Sequence, residues 1–128
     1  MTDLTGRCFC GSVRYRAKGP VLGANHCHCE SCRRATSSPV TSFFTVRAAD
    51  VEFEGESLRE YLSSPGHRRG FCGNCGAPLS YVSDNRPGEI DLYLMTLDNP
   101  SAVEVVRHDH WGERVVWLNV EDDLEKHG

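Results

Sequence analysis

Long hydrophobic runs are missing from this chain. Stretches such as Val115-Val116-Trp117-Leu118 fall far short of the ~20 apolar residues that a membrane-spanning helix requires. Excess positive charge is missing too. The chain has 14 Lys+Arg against 18 Asp+Glu, a formal net charge of −4, which argues against a general nucleic-acid binder. The first seven residues, Met1 to Arg7, hold no basic-then-apolar leader pattern, so the expected location is cytoplasmic. Helical periodicity is nearly absent, and no repeat, linker or low-complexity tract interrupts the chain. With 128 residues, 39% hydrophobic and 25% charged, the composition is that of one ordinary globular domain spanning residues 1–128.

What the chain does have is cysteine. Seven is an odd count, so an all-disulfide framework would leave a thiol over, and no leader places the chain where disulfides persist. Metal binding accounts better for the spacing: Cys8-Phe9-Cys10, then Cys27-His28-Cys29-Glu30-Ser31-Cys32, then Cys72-Gly73-Asn74-Cys75. The third group reads as a zinc knuckle. Two thiolates three apart on a tight turn can share one metal, and the glycines after each cysteine let backbone amides turn toward the sulfurs. Cys8 and Cys10, followed by Gly11, form a second knuckle-like pair. Pairing Cys8 and Cys10 with Cys72 and Cys75 gives one four-thiolate site, closed and structural.

Cys27, Cys29 and Cys32 remain. Closed structural zinc sites use four protein ligands, whereas catalytic sites commonly use three and keep a position for water or substrate. In an extended segment Cys27 and Cys29 point to one face, while His26 and His28 point to the other as packing or supporting groups. Cys32 reaches the same metal if the chain turns at Glu30-Ser31. Two outcomes are open: three cysteines keep an open catalytic zinc, or a histidine or acid from elsewhere closes a second structural one.

Elsewhere the pattern is of short strands. Val13–Lys18 alternates, and further candidates are Thr41–Val46, Val51–Glu54, Leu58–Leu62, Leu79–Val82, Ile90–Leu97, Val103–Arg107 and Val115–Val120. Ser31–Ala35 and Asp98–Ser101 could each hold a helical turn. A mainly β, antiparallel domain is expected, with an acidic, solvated tail over residues 121–128.

The cysteine blocks sit in a wider pattern. Gly6-Arg7-Cys8-Phe9-Cys10-Gly11-Ser12-Val13-Arg14-Tyr15, His26-Cys27-His28-Cys29-Glu30-Ser31-Cys32-Arg33-Arg34-Ala35-Thr36 and Arg69-Gly70-Phe71-Cys72-Gly73-Asn74-Cys75-Gly76-Ala77-Pro78-Leu79 resemble motifs of the glutathione-dependent formaldehyde-activating family, which includes centromere protein V. Ser64-Pro65-Gly66, Gly112, Trp117 and Leu118 also fit, so the resemblance covers roughly residues 4–124. It implies a zinc-stabilised β-tent fold with two zinc ions per chain. One is structural, on Cys8, Cys10, Cys72 and Cys75; the other is catalytic, on Cys27, Cys29 and Cys32. It also implies a carbon–sulfur lyase of the S-(hydroxymethyl)glutathione synthase type, joining a small-molecule thiol such as glutathione to formaldehyde or a related aldehyde. The competing expectation is a non-catalytic thiol carrier or protein-interaction module. The chain departs from the family at Val116, where a proline is usual, and over Arg107–Glu113, which is charged and histidine-rich. If that segment lines the pocket, substrate preference differs.

An open zinc suits thiol chemistry because the thiolate is the nucleophile, and zinc can alternatively polarise an aldehyde oxygen. Arg33 and Arg34 after Cys32, and Arg68 and Arg69 before the knuckle, are candidates for binding a substrate carboxylate through the guanidinium fork. His26, His28, His67 and His108 qualify by type as proton carriers. Seven thiolates with two Zn²⁺ add about −3, taking the formal charge from −4 to near −7.

Overall fold

A computed structural model describes residues 3–128; Met1 and Thr2, the first residues of the Met1–Arg7 stretch, lie outside the described residues. The strands are β1 (Leu4–Arg7), β2 (Arg14–Ala17), β3 (Gly23–Cys27), β4 (Thr41–Arg47), β5 (Val51–Glu54), β6 (Leu58–Ser64), β7 (His67–Cys72), β8 (Pro78–Ser83), β9 (Glu89–Tyr93), β10 (Arg107–Asp109) and β11 (Glu125–Lys126). One helix, α1 (Glu30–Thr36), follows β3. The strands form a three-stranded sheet, β1-β2-β5, and an eight-stranded sheet, β11-β10-β3-β4-β9-β8-β7-β6. Pairing is antiparallel except where β10 runs parallel to both β3 and β11. The mainly β, antiparallel architecture expected from the sequence is the one observed.

Side-chain alternation gives the large sheet two unlike faces. Phe44 and Val46 of β4 and Leu92 of β9 enter the main core with Val13, Leu79 and, from the small sheet, Tyr15 and Ala17. Burying a side chain such as Phe44, Leu79 or Leu92 contributes ~1.5–3 kcal/mol. The opposite face carries Cys27, Phe43, Asp91, Tyr93, Tyr81 and Arg69, brought side by side by the pairs Phe43↔Tyr93, Tyr81↔Asp91 and Arg69↔Tyr81. At Gly70 a Cβ would lie 2.3 Å from Ser80 Oγ. The absence of a side chain there lets β7 and β8 approach closely and holds Arg69 opposite Tyr81.

Several strand expectations are corrected. The Ile90–Leu97 candidate ends as a strand at Tyr93, and Leu94–Thr96 continue as a 3₁₀ turn. Val103–Arg107 becomes a strand only at Arg107, although the Val106 N–H already donates to the Ala24 carbonyl at 3.1 Å. Val115–Val120 forms no strand, and its Val116, Trp117 and Val120 are exposed, because no neighbouring strand accepts its backbone. The 121–128 tail is tied down in part: β11 extends the sheet, with the His127 N–H donating to the His108 carbonyl at 2.8 Å. Strand β7 escapes pattern reading because Arg68, Arg69 and Gly70 look like a loop. In fact Arg69 faces a polar cavity rather than the apolar core.

Candidate functional site

The seven thiols lie in two separate groups, Cys8/Cys10/Cys72/Cys75 and Cys27/Cys29/Cys32, with the sulfurs of each group within 4.8 Å of one another. In the first, Cys8 and Cys10 are 3.7 Å apart and Cys10 and Cys72 are 3.9 Å apart, sulfur to sulfur. Tetrahedral zinc with Zn–S of ~2.3 Å needs its sulfurs ~3.8 Å apart, so this donor set fits the ion. Backbone N–H groups converge on the cluster: Val13 donates to Cys8 Sγ at 3.3 Å, and Asn74 and Cys75 donate to Cys72 Sγ at 3.3 and 3.4 Å. The left-handed φ of Gly11 (+82°) and Gly76 (+80°) makes the two turns. The Ser12 hydroxyl and then the Asn74 amide bring the Cys10 thiol down to about 5, and Ser12 brings Cys72 down to about 7.

The second group joins the end of β3 to the start of α1. Cys29 is the N-cap of this helix, its sulfur accepting from the Cys32 N–H at 3.3 Å. Ser37, in the left-handed region at φ 53°, closes the other end. Hydrogen bonds from the Cys27 and Cys32 thiols bring Cys29 down to about 2. Cys27 is pushed up, first by its bond to Cys29 and then by its bond to Cys32 and by burial. Three thiols this close together are a donor set that would give up protons on taking a metal. Among the described residues no histidine or carboxylate joins this set.

His26 and His28 are occupied elsewhere. His26 Nδ1 is 2.7 Å from Ser42 Oγ, and His28 Nε2 is 2.8 Å from His108 Nδ1. His108 Nε2 in turn lies 2.9 Å from the Asp122 carboxylate. The carboxylate can only accept, so His108 donates through Nε2 and accepts at Nδ1 from the His28 Nε2–H. The buried His28 Nδ1 is left as a lone pair without a partner among the described residues. Burial, followed by the neighbouring His108 ring, holds both His26 and His28 below the ordinary histidine value of 6.5.

The three thiols open into a cavity of about 1170 Å³ floored by the polar face of the large sheet. Its size suits a ligand at or above the usual small-molecule range. Asp91 holds Arg86 through paired bonds of 3.0 and 2.5 Å, and Asp109 binds both Arg107 and Asn25 at 2.9 and 2.6 Å. His67 lies on the wall with its Nδ1 2.8 Å from Tyr81 Oη. His110 and Glu113 join it, so the unusual Arg107–Glu113 segment does line the pocket. A second hollow of about 680 Å³ lies beside Cys8 and Phe9 and reaches none of the three thiols.

The four arginines expected near a substrate divide evenly. Arg34 is on the cavity rim, bound to Glu30 at 2.8 Å, and Arg69 is on the floor. Arg33 instead donates to the His28 carbonyl at 3.2 Å, and neither it nor Arg68 lines the cavity. Strand alternation sends Arg68 to the other face, near Glu60 and Asp84 at 3.7 and 3.6 Å. Arg69 is only 6% exposed. Its Nη1 donates to Tyr93 Oη at 2.8 Å, its Nη2 to Cys32 Sγ at 3.7 Å, and its guanidinium lies 4.8 Å from the centre of the Tyr81 ring. Burial raises the Tyr93 phenol to about 12, so it stays protonated near neutrality. Tyr81, Tyr93, Asp91 and Asn25 escaped the sequence reading. In β9 the signal is alternation, with Asp91 and Tyr93 set between the apolar Ile90 and Leu92; Asn25 and Tyr81 carry no such signal, since His26 and Ser80 stand at their alternate positions.

Comparison with known proteins agrees with these motifs. The family model described as glutathione-dependent formaldehyde-activating enzyme matches residues 3–113. A Schizosaccharomyces pombe protein named as an uncharacterized lyase is 35% identical over 98 residues, covering 73% of this chain and 69% of its own. A Halomonas elongata protein bearing the name of a glutathione-dependent formaldehyde-activating enzyme is 27% identical over 105 residues, covering 75% of this chain and 66% of its own. The chain thus spans about two thirds of the length of these relatives. A Rhodobacter sphaeroides crystal structure superposes with a TM-score of 0.64 at 26% identity, covering 79% of this chain and 96% of that one. With a family model matched over most of its length and a lyase-named relative above 30% identity, the chain belongs to the glutathione-dependent formaldehyde-activating enzyme family.

Proposed function

We propose that this chain is a carbon–sulfur lyase that joins a thiol such as glutathione to formaldehyde or a related aldehyde. Cys27, Cys29 and Cys32 would hold a catalytic zinc, and Cys8, Cys10, Cys72 and Cys75 a structural one. The observation that carries the reading is the three-thiol cluster at the base of the large polar cavity. When bound there, zinc supplies a Lewis acid that favours the ionised form of an incoming thiol. The addition forms one S–C bond, moves the carbonyl π pair onto oxygen, and relocates one proton from sulfur to that oxygen. His67, oriented by Tyr81, is a wall residue able to carry the proton. Arg34 at the rim, and the Arg86–Asp91 and Arg107–Asp109 ion pairs along the wall, present charges of both signs to a substrate. A thiol with both charges, as in a peptide, suits such a wall.

The test is exchange spectroscopy by NMR on glutathione and formaldehyde, because the uncatalysed addition sets a background. The zinc-loaded protein should raise the exchange rate above that background, and Cys29→Ser should return it there while still folding. Equal rates with and without wild-type protein, with two metals bound, would leave a thiol carrier or interaction module instead.

A further inference from the structure

Burying a guanidinium costs several kcal/mol unless its charge is matched, yet Arg69 meets no carboxylate among the described residues. Two acids that share its cavity are already engaged, Asp91 by Arg86 and Asp109 by Arg107. What does touch Arg69 is the Tyr93 hydroxyl, the Tyr81 ring and Cys32 Sγ. A phenol and a ring face offer partial charge only. A cysteine that ligates a metal is a thiolate, so Cys32 is the contact able to present a full negative charge.

We propose that Arg69 is the fixed counter-cation of the three-cysteine cluster, a positioning residue that orients Cys32 and controls how firmly the cluster keeps a metal. The inference rests on the reading that this cluster is a metal site. Three thiolates around a divalent ion leave one net negative charge, which Arg69 cancels. An incoming fourth thiolate then meets a neutral assembly instead of an anionic one. The geometry is built in from both sides. Gly70 and Ser80 hold β7 against β8, Tyr93 and Tyr81 hold the guanidinium from two directions, and α1 carries Cys32 down to it. Arg68, one residue earlier, lies on the other face of the strand with Glu60 and Asp84. This position therefore sets apart one arginine of an otherwise equivalent pair.

The experiment uses the full chain with zinc retained at the first cluster, adding cobalt(II) to the second and measuring its affinity against a chromogenic chelator. The thiolate-to-cobalt charge-transfer band is recorded at the same time. Arg69→Met should weaken cobalt binding about tenfold or more and displace the band. Arg69→Lys should recover most of the affinity by restoring charge but keep a displaced band, since one ammonium does not span Cys32 and Tyr93 as the planar fork does. Tyr93→Phe, which leaves the charge in place, should change affinity less than threefold. Wild-type affinity and an unmoved band in Arg69→Met would overturn the proposal. Should that variant fail to fold, the same pair of results in Arg69→Lys would overturn it. A merely structural arginine would lower thermal stability without moving the band. Wild-type protein that takes up no cobalt at the second cluster would remove the metal-site reading itself, and with it this one.

Discussion

At Cys8, Cys10, Cys72 and Cys75 the sulfurs are met by groups from their own loops: backbone N–H groups of Val13, Asn74 and Cys75, the Ser12 hydroxyl and the Asn74 amide. At Cys27, Cys29 and Cys32 the sulfurs open on a cavity and one of them faces a guanidinium from a distant strand. The first cluster joins residues more than sixty positions apart and lies against the main core, which contains Cys8 and Cys72. The second has a small apolar nest of its own, with Phe43 and Tyr93. Four ligands complete a tetrahedron and stabilise a fold; three ligands leave a place for chemistry. The same residue type stands in both clusters, in unlike surroundings.

The sharpest way to break the comparison is to remove one thiol from each cluster. Metal at a structural site contributes ~10 kcal/mol or more, comparable to the whole stability of a domain. Cys75→Ser should therefore lose near-UV circular dichroism, whereas Cys29→Ser should keep it and retain one metal per chain. Equal loss of structure in both would end the division into structural and catalytic sites.

Graded chelation should show a smaller separation of the same kind. The second cluster should release its ion first, with near-UV dichroism unchanged until the first cluster is stripped; simultaneous release would make the two sites equivalent.

Acid adds a third, weaker probe. His26 and His28 bind a proton less readily folded than unfolded, so the unfolded chain takes up protons first as pH falls below about 6.5. Stability should decline from there. Asp122, whose carboxyl is held low by the His108 bond, adds a loss at more acid pH as it too becomes protonated in the folded state. Urea midpoints at pH 7.5 and 5.5, with metal content followed throughout, check the sign; an equal midpoint with both metals retained would disconnect the histidines from stability.

The smallest effect is expected at Asn74→Ala. Losing one amide bond to Cys10 Sγ should cost ~1 kcal/mol in a denaturant titration and leave the second cluster's metal affinity untouched.

Much of the candidate site was legible because cysteine spacing is local chemistry. Cys72-Gly73-Asn74-Cys75 is a turn that carries its own instructions, and Cys27, Cys29 and Cys32 stand close enough in sequence to meet once the chain turns, although the strand ends at Cys27 and Cys29 caps the helix. The helical turn at Ser31–Ala35 was readable as well, and it appears as Glu30–Thr36. Strand β7 and the irregular Val115–Val120 segment were not readable, because a strand's hydrophobic pattern reports what lies across from it. Arg69 in a strand looks like a loop residue until Tyr81, Tyr93 and Cys32 are placed around it. Valines in a row look like a strand until no neighbouring strand is found to accept them.

The sequence by itself determined that seven thiols divide into four and three, that the chain is mainly β, and to which family it belongs. These follow from residue identity and short spacing, which survive without a fold. Tertiary structure alone decided that Arg69 and not Arg68 faces the thiols, that His28 leans on His108 and Asp122, and that Arg107–Glu113 walls the cavity. Those contacts join residues 14 to 80 positions apart, and strand register, which a shift of one residue would invert, selects which of two neighbours takes part.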